Sequence, residues 1–254
     1  MTFAAIFLCF FTGHLIGDFL LQTDRLVEDK RRLGVLLLHA GAVTLVSFLL
    51  CGLWRRWEIL VVILATHATI DFIKTRIDKK GLWPFIVDQS AHLLVLIGLA
   101  AWIRMSAGSA GFWMRLWGVN YLKALVVLGG LILVVRAGAI FIGFAVQDLQ
   151  SQLERARKDA AGAQEPGLLS LRLGFPQGGR LIGQLERTLI LLFVLVDQPA
   201  GIGFLIAAKS VFRFGEVKDA ANRMEAEYII IGTLWSFLYG LLVAYLTKAA
   251  LAGI

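Results

Sequence analysis

Seven long apolar segments dominate the chain, and they constrain its fold more than any other feature. They lie at about 2–22, 34–53, 59–75, 85–103, 121–146, 187–208 and 227–247. A helix needs roughly 20 apolar residues to cross the hydrocarbon core of a bilayer, and its backbone must satisfy its own hydrogen bonds there. The sequence therefore predicts an all-α, polytopic integral membrane protein with about seven transmembrane helices. The mean hydropathy of +0.77 agrees with this class.

Two polar stretches suggest how the chain is organised. The stretch "SAGSAG" at 106–111 separates the first four apolar segments from the rest, so we predict a membrane domain at 1–106 and a three-span membrane domain at 107–254. The connection 147–186 is long and polar, and its Gly- and Pro-containing pieces are typical of turns. The sixth segment contains Pro199, Gly201 and Gly203, which interrupt helices. It could therefore be a broken or re-entrant helix instead of a continuous span.

Basic residues concentrate in the connections between the apolar segments. The odd-numbered connections and the C-terminus hold fifteen Lys and Arg residues, whereas the even-numbered connections hold nine. Cytoplasmic loops carry the excess of such residues, which predicts an N-terminus outside, a C-terminus in the cytoplasm and a cytoplasmic loop at 147–186. We interpret the formal net charge of +7 as a result of the basic loops that orient the protein in the membrane. We therefore predict no nucleic-acid partner.

All four histidines of the chain belong to one pattern that repeats at an offset of 53 residues. The repeated positions are His14 and His67, Asp18 and Asp71, and His39 and His92. The segment "HLIGDFLLQTDR" also resembles "HATIDFIKTRID". We therefore predict that the N-terminal domain is a duplicated helical hairpin that forms a four-helix bundle, and functional sites often lie where such copies meet.

These residues, together with Asp88, define what we call the polar cluster: His14, Asp18, His39, His67, Asp71, Asp88 and His92. Because successive spans alternate in direction, all seven fall in one leaflet, roughly 5–15 Å below the cytoplasmic face at 1.5 Å rise per residue. Three of the pairs have i, i+4 spacing, which puts both members on one helical face. An ionised Asp facing lipid costs ~2.5–3.5 kcal/mol, so we expect the cluster to face the bundle interior.

Imidazole and carboxylate groups inside a helix bundle are typical ligands of divalent metal ions. We predict that all seven residues of the polar cluster bind metal, with enough ligands for two ions that share a carboxylate, and the metal stays open among Zn, Mn, Fe and Mg. We assign catalytic roles to Asp18, Asp71 and Asp88. Two other interpretations remain: hydrogen bonds that only hold the helices together, and a pathway for protons or ions.

The second half offers basic residues near the ends of its apolar segments. We predict that Arg187, Lys209 and Arg213 bind the anionic headgroup of a substrate. The alternative is that these side chains extend to lipid phosphates without any specific role. Asp197 lies within the sixth apolar segment and needs a partner, for which we propose Arg136 in the fifth.

The segments "GHLIGDFLLQTD", "LLLHA", "HATIDFIK" and "VDQSAHLL" resemble an uncharacterised family of bacterial inner-membrane proteins, catalogued as a domain of unknown function. The resemblance covers the first four spans and implies a multi-pass protein of the bacterial inner membrane. It brings no established activity. The same pattern is similar, over fewer features, to the membrane-bound metal-dependent hydrolases of bacteria, which also set His and Asp into short helical spans; this likeness is an analogy.

Three functions are compatible with these features. The first is a metal-dependent hydrolase acting on a lipid or lipid-linked phosphate at the cytoplasmic leaflet, since metal-bound water is a nucleophile near neutral pH. The second is a transporter of divalent cations or protons, and the third is a non-catalytic structural or regulatory membrane protein. Membrane lipids are the expected partners in each case, and the oligomeric state, including a homo-oligomer, stays open.

Overall fold

The computed structural model describes residues 1–77, 80–106, 111–161, 177–213 and 223–254, and the regular structure in these residues is helical. The helices are α1 (Phe3–Leu15), continued by a π-helical segment (Ile16–Leu21), α2 (Asp24–Asp29), α3 (Leu33–Cys51), α4 (Glu58–Ile77), α5 (Leu82–Ser106), α6 (Phe112–Trp117), α7 (Val119–Ile132), continued by a second π-helical segment (Leu133–Ala137), α8 (Gly138–Ala145), α9 (Gln147–Ala161), α10 (Gly178–Leu195), α11 (Ala200–Arg213) and α12 (Arg223–Ala252).

The predicted class, an all-α polytopic membrane protein, is confirmed. Among the described residues, five helical stretches are long and apolar enough to cross a membrane: Phe3–Leu21, Leu33–Cys51, Leu82–Met105, Val119–Ala145 and Arg223–Ala252. Helix α4 has 20 residues, which is long enough at 1.5 Å per residue, but Asp71, Lys74 and Arg76 make its second half polar. The predicted count of seven spans therefore stays a prediction.

The sixth apolar segment, predicted at 187–208, is not one helix. Helix α10 ends at Leu195 and α11 begins at Ala200, and between them Asp197 adopts a left-handed conformation with φ of 57°. The sixth segment is therefore a broken helix, which was one of the two alternatives that the sequence left open. The proposed pairing of Asp197 with Arg136 is wrong, because the ion-pair partner of Asp197 among the described residues is Lys248.

The long connection 147–186 is partly helical. Its first fifteen residues form α9, and its end belongs to α10, which begins at Gly178. Residues 162–176, which include the predicted "GAQEPG" turn, lie outside the described residues.

Two compact units make up the chain. The first comprises Met1–Leu133 with Ala249–Ile254, and the second comprises Val134–Lys248. Residues 107–110 of the "SAGSAG" stretch lie outside the described residues, so the domain boundary at 106/107 stays a prediction.

The predicted pair of hairpins is present in the first unit as a four-helix bundle. Helix α1 packs against α3, α3 against α4, α4 against α5, and α5 against α1. An apolar core fills the end of the bundle where α1 begins and α3 ends, and it includes Phe10, Cys51, Ile59 and Ile103. The polar cluster lies farther along the same helices, toward the connections 22–32 and 78–81. Each hairpin therefore contributes apolar contacts at one end and polar groups at the other.

Glycines bring α1 close to α3. A Cβ on Gly13 would lie 2.6 Å from Ser47 Cα, and a Cβ on Gly17 would lie 2.4 Å from Val43 Cγ2. Small residues four apart allow such close approach between membrane helices, where van der Waals packing drives association. Gly17 and Asp18 both lie in the π-helical segment that continues α1. The close packing and the π segment together position Asp18 near α3.

Candidate metal centre

The structure brings all seven predicted residues of the polar cluster together in the interior of the bundle. Each of them is at most 9% exposed, and Asp71 is the most buried at 1%. The rings of His67 and His92 lie 4.4 Å apart between centroids, and those of His14 and His92 lie 4.9 Å apart. The convergence that the 53-residue repeat predicted is therefore present, while the metal-binding and catalytic roles of these residues stay predictions.

The first group of converging atoms joins both hairpins. His39 Nε2 lies 3.2 Å from His67 Nε2 and 3.2 Å from Asp18 Oδ1. His67 Nε2 lies 3.4 Å from the same Asp18 oxygen. Asp71 Oδ2 lies 3.6 Å from His39 Nε2 and 3.5 Å from His67 Nε2. Two imidazole nitrogens thus face each other and share the same two carboxylates.

These separations suit the ligand atoms of one metal ion, and the two shortest also lie within hydrogen-bond range. A tetrahedral ion with bonds of about 2.0–2.1 Å to imidazole and carboxylate places its ligand atoms about 3.3 Å apart. The measured separations of 3.2–3.6 Å bracket this value. A neutral imidazole can donate from one nitrogen alone, so two facing Nε2 atoms cannot satisfy each other and both carboxylates fully.

The second group consists of Asp71, Asp88 and His92, whose ligand atoms lie within 4.8 Å of one another. His92 Nδ1 donates to the backbone carbonyl of Asp88 at 2.9 Å, because a carbonyl can only accept. The neutral ring then carries its lone pair on Nε2, which is buried and has no hydrogen-bond partner among the described residues. Asp88 Oδ1 is also buried and has no hydrogen-bond partner there; His92 Nδ1 lies 3.7 Å from it.

These two unpartnered acceptors are the features that most need a cation. Leaving a buried polar group unsatisfied costs about 1–3 kcal/mol, and a metal-bound histidine usually donates its other ring nitrogen to a carbonyl or carboxylate, as His92 does here. Asp71 belongs both to this group and to the group of His39 and His67. The residues present therefore fit two ions that share the Asp71 carboxylate.

His14 is held differently from the other three histidines. Gln89 donates its amide to Asp88 Oδ2 at 3.0 Å, which leaves Gln89 Oε1 to accept from His14 Nε2 at 3.3 Å. The His14 nitrogen lies farther, 3.8 Å, from Asp18 Oδ2. A role of His14 as a ligand through Nε2 would therefore require the hydrogen bond with Gln89 to break.

Sequence reasoning missed two lysines that enter the cluster. Lys30, which is 4% exposed, donates to Asp71 Oδ2 at 2.8 Å. Lys74 donates to Asp88 Oδ2 at 2.5 Å, with a side chain that is 44% exposed. The sequence analysis counted both as loop charges that orient the protein. Lys74 lies three residues after Asp71, which puts both on one helical face and was a signal that Lys74 could reach the cluster. No local spacing links Lys30 to Asp71.

With neutral imidazoles, the three carboxylates and these two lysines carry one net negative charge. Lys30 contacts Asp71 Oδ2, the same oxygen that faces His39 and His67, whereas Lys74 contacts Asp88 Oδ2 and leaves Oδ1 without a hydrogen bond in the described part of the chain. Buried charges persist when they are paired and hydrogen-bonded, and the lysines meet this condition for Asp71 and Asp88. One divalent ion would turn the net charge of these groups positive.

The three predicted substrate-binding residues belong to the second compact unit. Arg187 is buried and donates through Nε to the Val134 carbonyl at 2.6 Å and through Nη1 to Ser236 Oγ at 2.8 Å, and its Nη2 has no partner among the described residues. Lys209 pairs with Glu186 at 2.6 Å. The side chain of Arg213 lies outside the described residues. A role in binding substrate stays a prediction for all three.

Residues 6–117 match the family model described as protein of unknown function (DUF3307). The match covers both hairpins and every residue of the polar cluster, with Lys30 and Lys74. No curated protein and no solved structure matches the chain. Residues 6–117 are therefore similar to the domain that this family model describes.

Proposed function

We propose that this protein is a membrane-embedded, metal-dependent hydrolase that acts on a lipid or lipid-linked phosphate. The observation that carries the proposal is the buried convergence of His and Asp atoms, in which His92 Nε2 and Asp88 Oδ1 have no partner among the described residues. A cluster that served only to hold helices together would be expected to satisfy its own acceptors. These two atoms favour a bound cation over hydrogen bonding alone.

Each group of the cluster has a role in this proposal. His39, His67 and Asp18 hold one divalent ion, Asp88 and His92 hold a second, and Asp71 is the ligand that both share. When bound, such ions lower the pKa of a coordinated water and polarise a phosphoryl oxygen. Asp88 would bind the second ion through Oδ1, because Lys74 and Gln89 contact its Oδ2, and Lys30 orients Asp71 through Oδ2. Burial of the cluster excludes bulk water from the reacting groups.

The location of the cluster supports an amphiphilic substrate. It lies toward the connections 22–32 and 78–81, each of which adjoins basic residues, including Arg31 and Arg32 in the first and Lys80 in the second. These charges support placing this end at the cytoplasmic face. A substrate could then keep its acyl chains in the leaflet while its headgroup reaches the cluster.

The contacts of the chain ends bear on topology. Met1 and Ile254 both pack against the apolar core at the opposite end of the bundle. This supports placing both termini on the same side of the membrane, outside if the cluster end is cytoplasmic, and it differs from the predicted cytoplasmic C-terminus. Labelling of single cysteines added at each terminus with a membrane-impermeant maleimide in intact cells tests this; reaction at both is expected, and reaction at one alone would contradict it.

The function is tested by combining metal analysis with turnover. Purified protein is loaded with Zn or Mn, dialysed, and analysed by mass spectrometry for bound metal, beside the variants His92→Ala and Asp88→Asn. It is then incubated with a panel of lipid phosphates, and the release of inorganic phosphate is measured. We expect retained metal, phosphate release from at least one lipid, and loss of release in both variants.

Other outcomes separate the alternatives. Metal flux into proteoliposomes that depends on His92, without hydrolysis of any lipid, would replace the hydrolase with a transporter. Absence of retained metal in every preparation would favour a structural role of the polar cluster.

A further inference from the structure

Two side chains that contact the polar cluster, those of Lys74 and Gln89, are not fully buried. All seven cluster residues and Lys30 are buried, but the Lys74 side chain is 44% exposed and Gln89 is partly buried. Both side chains contact the same buried oxygen, Asp88 Oδ2, at 2.5 Å and 3.0 Å. Lys74 and Gln89 therefore connect the surface of the bundle with the cluster.

The two acceptors without hydrogen-bond partners belong to Asp88 and His92, and Asp88 is the residue that Lys74 and Gln89 contact. Asp88 Oδ1 is on the carboxylate that Lys74 and Gln89 bind, and His92 Nε2 lies one helical turn farther along α5. Lys74 has three N–H donors, of which the Asp88 contact uses one. An ammonium group with donors to spare thus lies next to the part of the cluster that lacks partners.

The surroundings of Lys74 are suited to an amphiphile. Lys74 lies in the last turns of α4, and Gln89 lies in the second turn of α5. Helix α4 makes its more extensive contact with α3 rather than with α5, so the α4–α5 seam is the less closely packed side of this helix. Ile73 and Ile77 on α4 and Val87 on α5 are each more than half exposed, and these two helices therefore present apolar side chains to the acyl region.

We infer that Lys74 and Gln89 form the recognition site for the phosphate group of an amphiphilic substrate, which reaches the cluster through the α4–α5 seam. This inference rests on the proposed function and adds to it the residues that select an anion. Lysine binds phosphate as a point charge, and the glutamine amide supplies a neutral donor beside it. Once a divalent ion offsets the carboxylates, the net positive charge of these groups favours an anionic group over a neutral ester.

Binding of dodecyl phosphate to the zinc-loaded protein tests the inference. Isothermal titration calorimetry in a nonionic detergent is run on the wild type and on Lys74→Gln, Lys74→Arg and Arg76→Gln, with retained zinc measured for each. Arg76 is the matched control, because it lies half a turn away and contacts the Phe72 ring, 4.8 Å from the ring centroid. Inorganic phosphate and dodecyltrimethylammonium are titrated in parallel, to separate the phosphate group from the alkyl chain.

We expect Lys74→Gln to weaken dodecyl phosphate binding about 10-fold to 100-fold, as loss of a charged hydrogen bond does, with zinc content unchanged. Lys74→Arg and Arg76→Gln should bind within about threefold of the wild type, a difference that is small on the scale of one such bond. Tighter binding of dodecyl phosphate than of inorganic phosphate would indicate that the site binds the phosphate group of a lipid. Tighter binding of inorganic phosphate would indicate that it binds free phosphate.

Several results would overturn the inference. Unchanged phosphate binding in Lys74→Gln with normal zinc content would show that Lys74 does not recognise the anion. Loss of zinc together with phosphate binding in Lys74→Gln would mean that Lys74 only positions Asp88. A wild type that retains no zinc would instead contradict the proposed function itself, so the two failures are distinguishable.

Discussion

The two hairpins of the first unit carry the same three chemical groups but use them differently. Asp18 and Asp71 occupy equivalent positions, yet Asp18 lies in a π-helical segment and Asp71 in a regular α-helix. The position equivalent to Asp88 in the first hairpin is Val35, and the position equivalent to Lys74 is Leu21. The second hairpin therefore adds a carboxylate and a lysine to the groups that both hairpins share. The partly exposed Lys74 belongs to this hairpin.

Packing also distinguishes the copies. The first hairpin is closed by Gly13 and Gly17 against α3, whereas the equivalent residues in α4 are Thr66 and Ile70. The first hairpin supplies the buried counter-ion Lys30, and the second supplies the exposed Lys74. In the proposed function, the duplicated positions supply most of the metal ligands, and Asp88 and Lys74 are present in the second hairpin alone.

The largest effect should come from Asp71, the carboxylate that both groups share. Asp71→Asn removes a ligand from each ion and leaves Lys30 buried without its anionic partner, which typically costs about 3–5 kcal/mol. We expect loss of both metal equivalents and a lower midpoint of thermal unfolding in detergent. Asp29→Asn is the control, because Asp29 is half exposed and pairs with exposed Arg32. Full metal retention in Asp71→Asn would refute the shared-ligand arrangement.

The equivalent histidines of the two copies should each control one ion. His39→Ala removes a ligand of the group with Asp18 and His67, and His92→Ala removes a ligand of the group with Asp88. Each variant should lose about one of two metal equivalents, since the other group keeps its own ligands. Metal analysis of both variants beside the wild type checks this. Loss of all metal in both would indicate a single ion bound by the two histidines together.

Asp88→Val makes the second copy resemble the first at this position. Lys74 is 44% exposed, so its ammonium can turn to water, and we expect the free energy of unfolding to change by less than about 1 kcal/mol. Metal bound by Asp88 and His92 should weaken by about 10-fold or more. Competition with a chelator measures the affinity. Equal affinity in the variant would contradict a role of Asp88 in metal binding.

The repeat and the i, i+4 spacing were sufficient to predict the bundle and the convergence of His and Asp, because both follow from helix geometry. The partners of Lys30, which is 41 residues from Asp71, and of Asp197, which is 51 residues from Lys248, depend on tertiary packing that periodicity does not encode. Pro199 and the nearby glycines indicated a break in the sixth segment, but they did not specify the four residues 196–199. The π segment at Asp18 has no sequence signature that we recognise.

The smallest expected effect on metal binding comes from the close packing in the first hairpin. Gly17→Ala places a Cβ 2.4 Å from Val43 Cγ2, so a side chain or helix must shift, which typically costs about 1–3 kcal/mol. Because Asp18 follows directly, we also expect a modest loss of metal affinity. Gly34→Ala is the matched control, since a Cβ there meets nothing within 4 Å. Equal thermal stability of the two variants would contradict the packing argument.

The central claim, that the duplicated His and Asp positions bind divalent metal inside the membrane, is tested most directly by X-ray absorption at the zinc edge of the loaded protein. The account predicts nitrogen and oxygen ligands at about 2.0–2.1 Å, with the outer-shell scattering of imidazole rings that decreases in His39→Ala and in His92→Ala. A spectrum of hydrated zinc, or imidazole scattering that persists unchanged in both variants, would contradict it.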